Sequence, residues 1–344
     1  MKTQIDASQA AAFPLAPSVA VVIVNWNGLL FLPACLLALS RQVYPNFEVV
    51  VIDNASTDAS IAYLEDHHPS VHIIRNTQNI GFAAACNQGI RATKTEFVAL
   101  LNNDTVVHPQ WLAAMVDAMG DPGVGMCACR MLSMHDATVI DSTGITVDRL
   151  GYAWGIGGGK QDRMDNYPVP HQLLGPSGGA GLYRREMLED IGLLDEDFFA
   201  YLEDVDLAWR AQWAGWQCRF AAEAIVFHVH SATATQIPHL KSRLLARNRI
   251  WMIVKNYPAR FLLAYLPLLM VSEAGALIYL ARCGRFHSSL HGRFEAMRLI
   301  PAMLDRRRKT PRRITDEQMM ARLQPVELPT KLLRRYRFVA HKQS

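Results

Sequence analysis

The feature that most constrains this chain is a series of short apolar runs, each closed by Asn or Asp and followed by a helix-compatible stretch. Residues 19–24 run into Asn25-Trp26-Asn27, residues 47–52 into Asp53-Asn54, and residues 97–101 into Asn102-Asn103-Asp104. Segments 29–39, 57–66, 82–93 and the stretch from Pro109 to Met119 suit helices, and 71–74 and 124–129 suit two further strands. Strands this apolar are buried on both faces, so the alternation predicts an α/β fold with a mostly parallel sheet covered by helices. In such sheets ligands bind at the carboxyl ends of the strands. The three polar clusters therefore converge on one edge.

With 344 residues, half of them hydrophobic, the chain can bury a substantial core. The length suits one large catalytic domain with an appendage. Residues 1–18 read as a flexible leader, 19–235 as the catalytic domain and 236–344 as a helical, basic C-terminal region. Residues 131–175, rich in Gly, Asp and Pro, read as loops with a short hairpin over the site. The glycines of 155–159 follow no apolar strand and precede no helix, so they read as a loop rather than a dinucleotide fingerprint. Order resumes at 178–183, helices begin at Glu186 and cover 203–213, and 218–221 reads as a strand. Six cysteines without framework spacing suit buried reduced thiols. Pro14 and Pro17 interrupt the N-terminal apolar stretch, which argues against a secretory signal.

Four constellations carry chemistry. In 53–58, Ser56 or Thr57 suits a helix cap with Asp58 in the first turn; Asp53 lies at the ligand edge, where it could accept a pyrimidine imide N–H. Asp104 either supplies a carboxylate for a divalent cation on a nucleotide diphosphate or caps the following helix. Glu203-Asp204-Val205-Asp206 places three carboxylates at a helix start after the apolar 198–202. That approach suits a partly desolvated base with a raised pKa. His228 and His230 follow the apolar 224–227 and suit either metal ligation or an ordinary core or surface position.

These motifs, taken in order, resemble family 2 glycosyltransferases, and most closely their bacterial rhamnosyltransferase-like branch. The resemblance rests on VIVNWN at 22–27, VIDNASTD at 51–58, NIGFA at 79–83, LLNNDT at 100–105, FFAYLEDVDL at 198–207 and VFH at 226–228, and it covers residues 19–232. It implies a GT-A fold, a Rossmann-like mixed and mostly parallel sheet, and inversion at the anomeric carbon. Asp53 matches the base-contacting acid. Asn25 and Asn27 line the nucleotide pocket, and Asn103 lies beside the diphosphate. Asp104 matches the last residue of a DxD motif whose first position is Asn102 here. It would bind Mg²⁺ or Mn²⁺ together with His228. Asp204 matches the catalytic base, and Glu203 and Asp206 read as acceptor-binding or helix-start residues. The implied donor is dTDP-rhamnose, and the acceptor a growing cell-surface glycan or lipid-linked sugar. The alternatives are a UDP-hexose or UDP-galactofuranose donor, or a catalytically weak glycan-binding subunit of an assembly complex.

Residues 261–280 form the most apolar stretch, about one bilayer width as a helix. Glu273, Pro267, Ser272 and Gly275 weaken it as a span. A spanning helix, an interfacial hairpin broken near Pro267 and a helix packed on the catalytic domain all remain open. Ten Arg or Lys residues between Arg282 and Arg313 face only Glu295 and Asp305, and Lys331, Arg334, Arg335 and Arg337 follow. No nucleic-acid motif accompanies them, so the expected partner is an anionic membrane surface, at the cytoplasmic face of a bacterial inner membrane.

Overall fold

The computed structural model describes residues 16–168, 170–229 and 238–326. Strands β1 (Val19–Asn25), β2 (Phe47–Asp53), β3 (His72–Arg75) and β4 (Phe97–Asn102) run parallel in the order β3-β2-β1-β4. Helices α1 (Leu32–Leu39), α2 (Ser60–His67) and α3 (Phe82–Ala92) connect them. The chain continues through β5 (Thr105–Val107), α4 (Trp111–Ala118), β6 (Val124–Ser133), β7 (Ile140–Ser142), the hairpin β8 (Ile145–Val147) and β9 (Ala153–Gly155), β10 (Ala180–Arg184), α5 (Arg185–Ile191), α6 (Glu203–Trp213) and β11 (Gln217–His228). The sheet extends as β4-β10-β6-β11-β5, with β7 also on β6; β10, β5 and β7 run against the other strands. This is the mixed α/β sheet that the alternation predicts.

Period-two alternation divides the core between the two faces. Val22, Val50, Ile52, Val98 and Leu100 pack with Ala83, Cys86 and Ile90 of α3, Met187 of α5 and Trp209 of α6. Val21, Ile23, Val51, Ala99 and Leu101 pack with Leu36 of α1 and Trp111 and Met115 of α4. Cys35, Cys86, Cys127, Cys129 and Cys218 are buried free thiols and Cys283 is exposed. Burial pushes Cys35 and Cys129 up to about 12, which keeps them protonated and unreactive.

Several boundaries differ from the sequence expectation. β6 runs on to Ser133, and β11 covers both 218–221 and 224–227 with an irregularity between. β5 and β7 are three residues long, too short to read as strands. α2 begins at Ser60, later than expected, because Asp58 accepts from the N–H of Ser60 and that of Leu29, fixing a turn before the helix.

Beyond the sheet lie α7 (Pro238–Asn256), α8 (Ala259–Arg282), α9 (Phe286–Arg298), α10 (Ile300–Lys309) and α11 (Asp316–Arg322). α8 passes through Pro267 without a break, so the hairpin alternative does not form. Pro267 removes one helical hydrogen bond, but beyond it Leu269 is buried and Glu273 is ion-paired to α7 and α9, which holds the helix on course. His230 and the cluster at Lys331–Arg337 lie outside the described residues.

Candidate active site

Strand register builds the site. Asn25 pairs with Asp53 across β1 and β2, and Val24 with Asn102 across β1 and β4. The fully buried Asn25 joins all three strand ends. Its Nδ2 donates to Asp53 Oδ1 (3.2 Å) and Ser56 Oγ (3.1 Å), and its Oδ1 accepts from Asn103 Nδ2 (2.9 Å). A Cβ at Gly28 would lie 2.0 Å from Asn103 Nδ2 and 2.3 Å from Asn25 Oδ1, so the tie requires glycine there. Asp53 Oδ2 accepts from the N–H of Ser56 (3.1 Å), leaving lone pairs on both its oxygens. Asn27, at φ 51°, spends its Oδ1 on the N–H groups of Thr57 (2.7 Å) and Asp58 (3.3 Å) and so shapes the 53–58 turn.

Antiparallel pairing sets His228 opposite Thr105, which brings Asp104 beside the imidazole: His228 Nε2 lies 3.2 Å from Asp104 Oδ1. β6 lies between β11 and β7, pairing Met131 and Leu132 with both, and Asp141 Oδ2 of β7 sits 2.8 Å from His228 Nδ1. Burial opposes charge on this ring, but the two carboxylates outweigh it and hold the imidazole up to about 10. A cation at Nε2 would take the place of the proton there, and Asp141 on Nδ1 would then hold the ring as the usual support of a ligating histidine does. Asp104 and His228 thus fit a divalent cation as an oxygen–nitrogen pair. Among the described residues no group of three or more His, Cys, Asp or Glu could hold a metal, so the remaining ligands would be substrate oxygens and water.

Asp104 and His228 line a cavity of about 530 Å³ together with Trp26, Asn103, Glu203, Asp204 and Lys241. It is also lined by the turn leading into α6, where Phe199 (63°), Tyr201 (71°) and Leu202 (68°) all have positive φ. Such backbone costs roughly 1–3 kcal/mol per residue and persists only where neighbours enforce it. Asn248 of α7 enforces it: its buried Nδ2 donates to the carbonyls of Phe198 (2.9 Å), Ala200 (2.9 Å) and Tyr201 (2.7 Å).

That turn delivers Glu203 and Asp204. Asp204 accepts from the N–H of Gly178 (2.8 Å) at Oδ2 and of Val205 (2.8 Å) at Oδ1. Gly178 is in reach because β10 pairs antiparallel with β4, so the residues before it return to the strand ends. Burial raises Asp204 above the usual carboxylate range, against the pull of those backbone donors. Burial and the Asp204 charge push Glu203 up to about 8. Replacing Asn248 with Leu is expected to relax the turn, lowering kcat several-fold with donor KM unchanged. Steady-state kinetics with unchanged kcat would refute that positioning role.

Asp206 is a correction. It faces away from the cavity, fully buried, with Oδ2 2.9 Å from both Arg210 Nε and Lys255 Nζ and Oδ1 2.8 Å from Asn256 Nδ2. Its place in the first turn of α6 points it to the core, so of the two readings the helix-start one holds and the acceptor-binding one does not. Asp141, Lys241 and Asn248 were not anticipated. Asp141 lies in an irregular stretch without local signal, and the other two lie on a helix remote in sequence from the strand ends.

Residues 20–192 match the family model "Glycosyl transferase family 2". The chain is 28% identical over 229 residues to the N-acetylglucosaminyl-diphospho-decaprenol L-rhamnosyltransferase of Mycobacterium tuberculosis, covering 60% of this chain and 72% of that one. It is 29% identical over 234 residues to the O-antigen biosynthesis protein RfbC of Myxococcus xanthus, covering 65% of this chain but 18% of the relative. Several curated relatives are much longer, and the chain spans 18% to 37% of their length. Among solved structures, the mannosyltransferase PcManGT of Pyrobaculum calidifontis, in complex with GDP-Man and Mn²⁺, superposes with a TM-score of 0.53 at 19% identity over 90% of this chain and 86% of that one. Its fold is shared. The family match spans half the chain and contains the strand-end clusters and Asp104; the chain therefore belongs to glycosyl transferase family 2 and is a glycosyltransferase with a GT-A fold.

Proposed function

We propose that this enzyme transfers a sugar from a nucleotide diphosphate donor to an acceptor hydroxyl with inversion, using Asp204 as base. The observation that carries the reading is that the Asp104–His228 pair and Glu203-Asp204 line one and the same cavity. Asp53, Asn25 and Asn103 form the donor edge, Asp53 receiving the base and Asn103 lying toward the diphosphate; Asn27 supports that edge through the 53–58 turn. Asp204 accepts the proton of the acceptor hydroxyl as that oxygen bonds to the anomeric carbon. The bond to the diphosphate breaks on the opposite face, and its electron pair leaves with the nucleotide. Asp104 and His228 would hold Mn²⁺ or Mg²⁺, which neutralises charge on the departing diphosphate. Glu203, which burial pushes toward its protonated form, serves as a hydrogen-bond donor to the acceptor, and Lys241 offers a cation to a phosphate on either substrate.

Residues 19–235 form the catalytic unit in this reading. The 236–344 extension shapes the acceptor side, because Leu240, Lys241, Leu244 and Leu245 line the cavity. The donor is dTDP-rhamnose and the acceptor a cell-envelope glycan or lipid-linked sugar, at the cytoplasmic face of the inner membrane. The family motifs and the rhamnosyltransferase and O-antigen relatives support this choice. A thermal-shift panel of dTDP-, UDP- and GDP-sugars with Mn²⁺ tests it. A preferred donor at 100-fold over its Kd stabilises by about 2.7 kcal/mol, and dTDP-rhamnose should give the largest shift. Asp104→Ala and His228→Ala should each abolish the Mn²⁺-dependent part of that shift. A metal-dependent shift unchanged in both variants would remove these residues as ligands.

A further inference from the structure

α8 presents two faces with opposite demands on solvent. Leu263, Met270, Val271 and Ile278 lie along one side at helical spacing and are 80%, 66%, 70% and 58% exposed. Between Arg260 and Arg282 the only charged residue is Glu273, and it turns the other way. Glu273 is ion-paired with Arg249 of α7 and Arg293 of α9 (2.5 Å). Beside it, Arg249 Nη2 donates to Ser272 Oγ (3.3 Å) and the Tyr152 hydroxyl to the carbonyl of Ser272 (3.3 Å). The inner face is thus fixed at mid-helix to α7, to α9 and to Tyr152 through charged and polar groups. A spanning orientation would carry Arg249, Arg293 and the 149–152 loop to the bilayer centre, where each charge is costly.

α9 widens the outer face. The chain reverses between Arg282 and Phe286 and Glu273 meets Arg293, so α8 and α9 lie side by side and antiparallel. Phe294 and Met297 of α9 are more than half exposed, and exposed arginines stand at the helix ends: Arg282 of α8, Arg298 of α9 and, paired with Glu317, Arg260 of α8. An apolar strip bordered by arginines matches the acyl boundary and the anionic headgroups of a lipid surface.

We propose that α8 and α9 dock in the plane of an anionic bilayer, with Leu263, Met270, Val271 and Ile278 at the acyl boundary and the bordering arginines among the headgroups. The docking rests on the membrane-side placement proposed above and fixes its mode as monotopic. It also orients the enzyme. His239 Nδ1 meets Ser288 Oγ (3.1 Å), so the α7 wall of the cavity, with Lys241, adjoins the start of α9 and hence the lipid surface. An acceptor anchored in lipid would enter from that side.

The test is co-sedimentation of the full chain with phosphatidylcholine vesicles and with vesicles containing one-third phosphatidylglycerol. Binding is expected only to the anionic vesicles and should fall roughly tenfold or more in a Leu263→Glu, Val271→Glu double variant. Val43→Glu, which changes an exposed apolar residue remote from α8, should leave binding intact. Equal binding by wild type and the double variant would overturn the proposal, as would the absence of binding to either vesicle. Retention in native membranes through an alkaline carbonate wash would show a span instead. Light scattering that finds a dimer dissolved by the double variant, without vesicle binding, would assign the face to a second copy. The donor-induced thermal shift is read on the same variants, so failure of the docking and failure of the transferase reading remain distinguishable.

Discussion

Replacing Asp204 with Asn is expected to lower sugar transfer by about 10²- to 10⁴-fold, the range over which a positioned base contributes, while donor affinity stays within a few-fold of wild type. Asn fills the same space, and its Oδ1 can still accept one of the two backbone N–H groups that Asp204 now holds. Proton acceptance is lost together with one of those two backbone hydrogen bonds. Isothermal titration with donor, beside transfer kinetics, separates the two effects. Wild-type transfer would remove Asp204 as the base, and loss of donor binding in proportion to rate would make it a structural residue.

The pH profile gives an independent reading. Burial raises both Asp204 and Glu203, and the two titrate as a pair rather than as separate sites. A base must be deprotonated to act, so kcat/KM falls as pH drops through its pKa. The acidic limb therefore lies above the usual carboxylate range. Glu203→Gln removes the neighbouring carboxyl and should shift that limb without a loss as large as that of Asp204→Asn.

How much of this was legible follows from the physics of each part. Buried parallel strands are continuous apolar runs, so β1, β2 and β4 announce themselves, and the residues ending them must share an edge. Asn25, Asp53 and Asn103 are expected at one edge on that ground, and the hydrogen bonds of Asn25 to the other two reflect strand register. Helix α6 was legible from its acidic first turn. β5, β7 and Asp141 were not, because three-residue strands carry no periodicity of their own and form only against a sheet that already exists. Asp206 was misplaced for a related reason: three carboxylates in four residues look alike in sequence, and only the helical rotation separates Asp204 at the cavity from Asp206 in the core. Asn248 and Lys241 reach the site through long-range packing of α7, which no local pattern encodes.

The Asp206→Ala variant is expected to lose about 3–5 kcal/mol of stability, the usual cost of removing one partner from a buried ionic cluster. Burial alone would raise this carboxyl, but Lys255 and Arg210 outweigh it and hold it down at about 2. A folded-state pKa below the unfolded value contributes stability that is present above the unfolded pKa, near 4 for Asp, and is lost as pH falls through about 2. At neutral pH the whole contribution is therefore in place. Truncation leaves two buried cations unequally provided for. Arg210 keeps the carbonyls of Ile191, Gly192 and Leu193, whereas Lys255 keeps Asp195 (2.5 Å) as its remaining carboxylate. Adding Lys255→Met to Asp206→Ala should accordingly recover part of the loss, measured as a positive coupling in a double-mutant cycle by urea unfolding. Below its melting transition the single variant should bind donor and acceptor normally, since the cluster lies behind the cavity wall. A stable Asp206→Ala protein, within about 1 kcal/mol of wild type but defective in acceptor binding, would return Asp206 to the acceptor site.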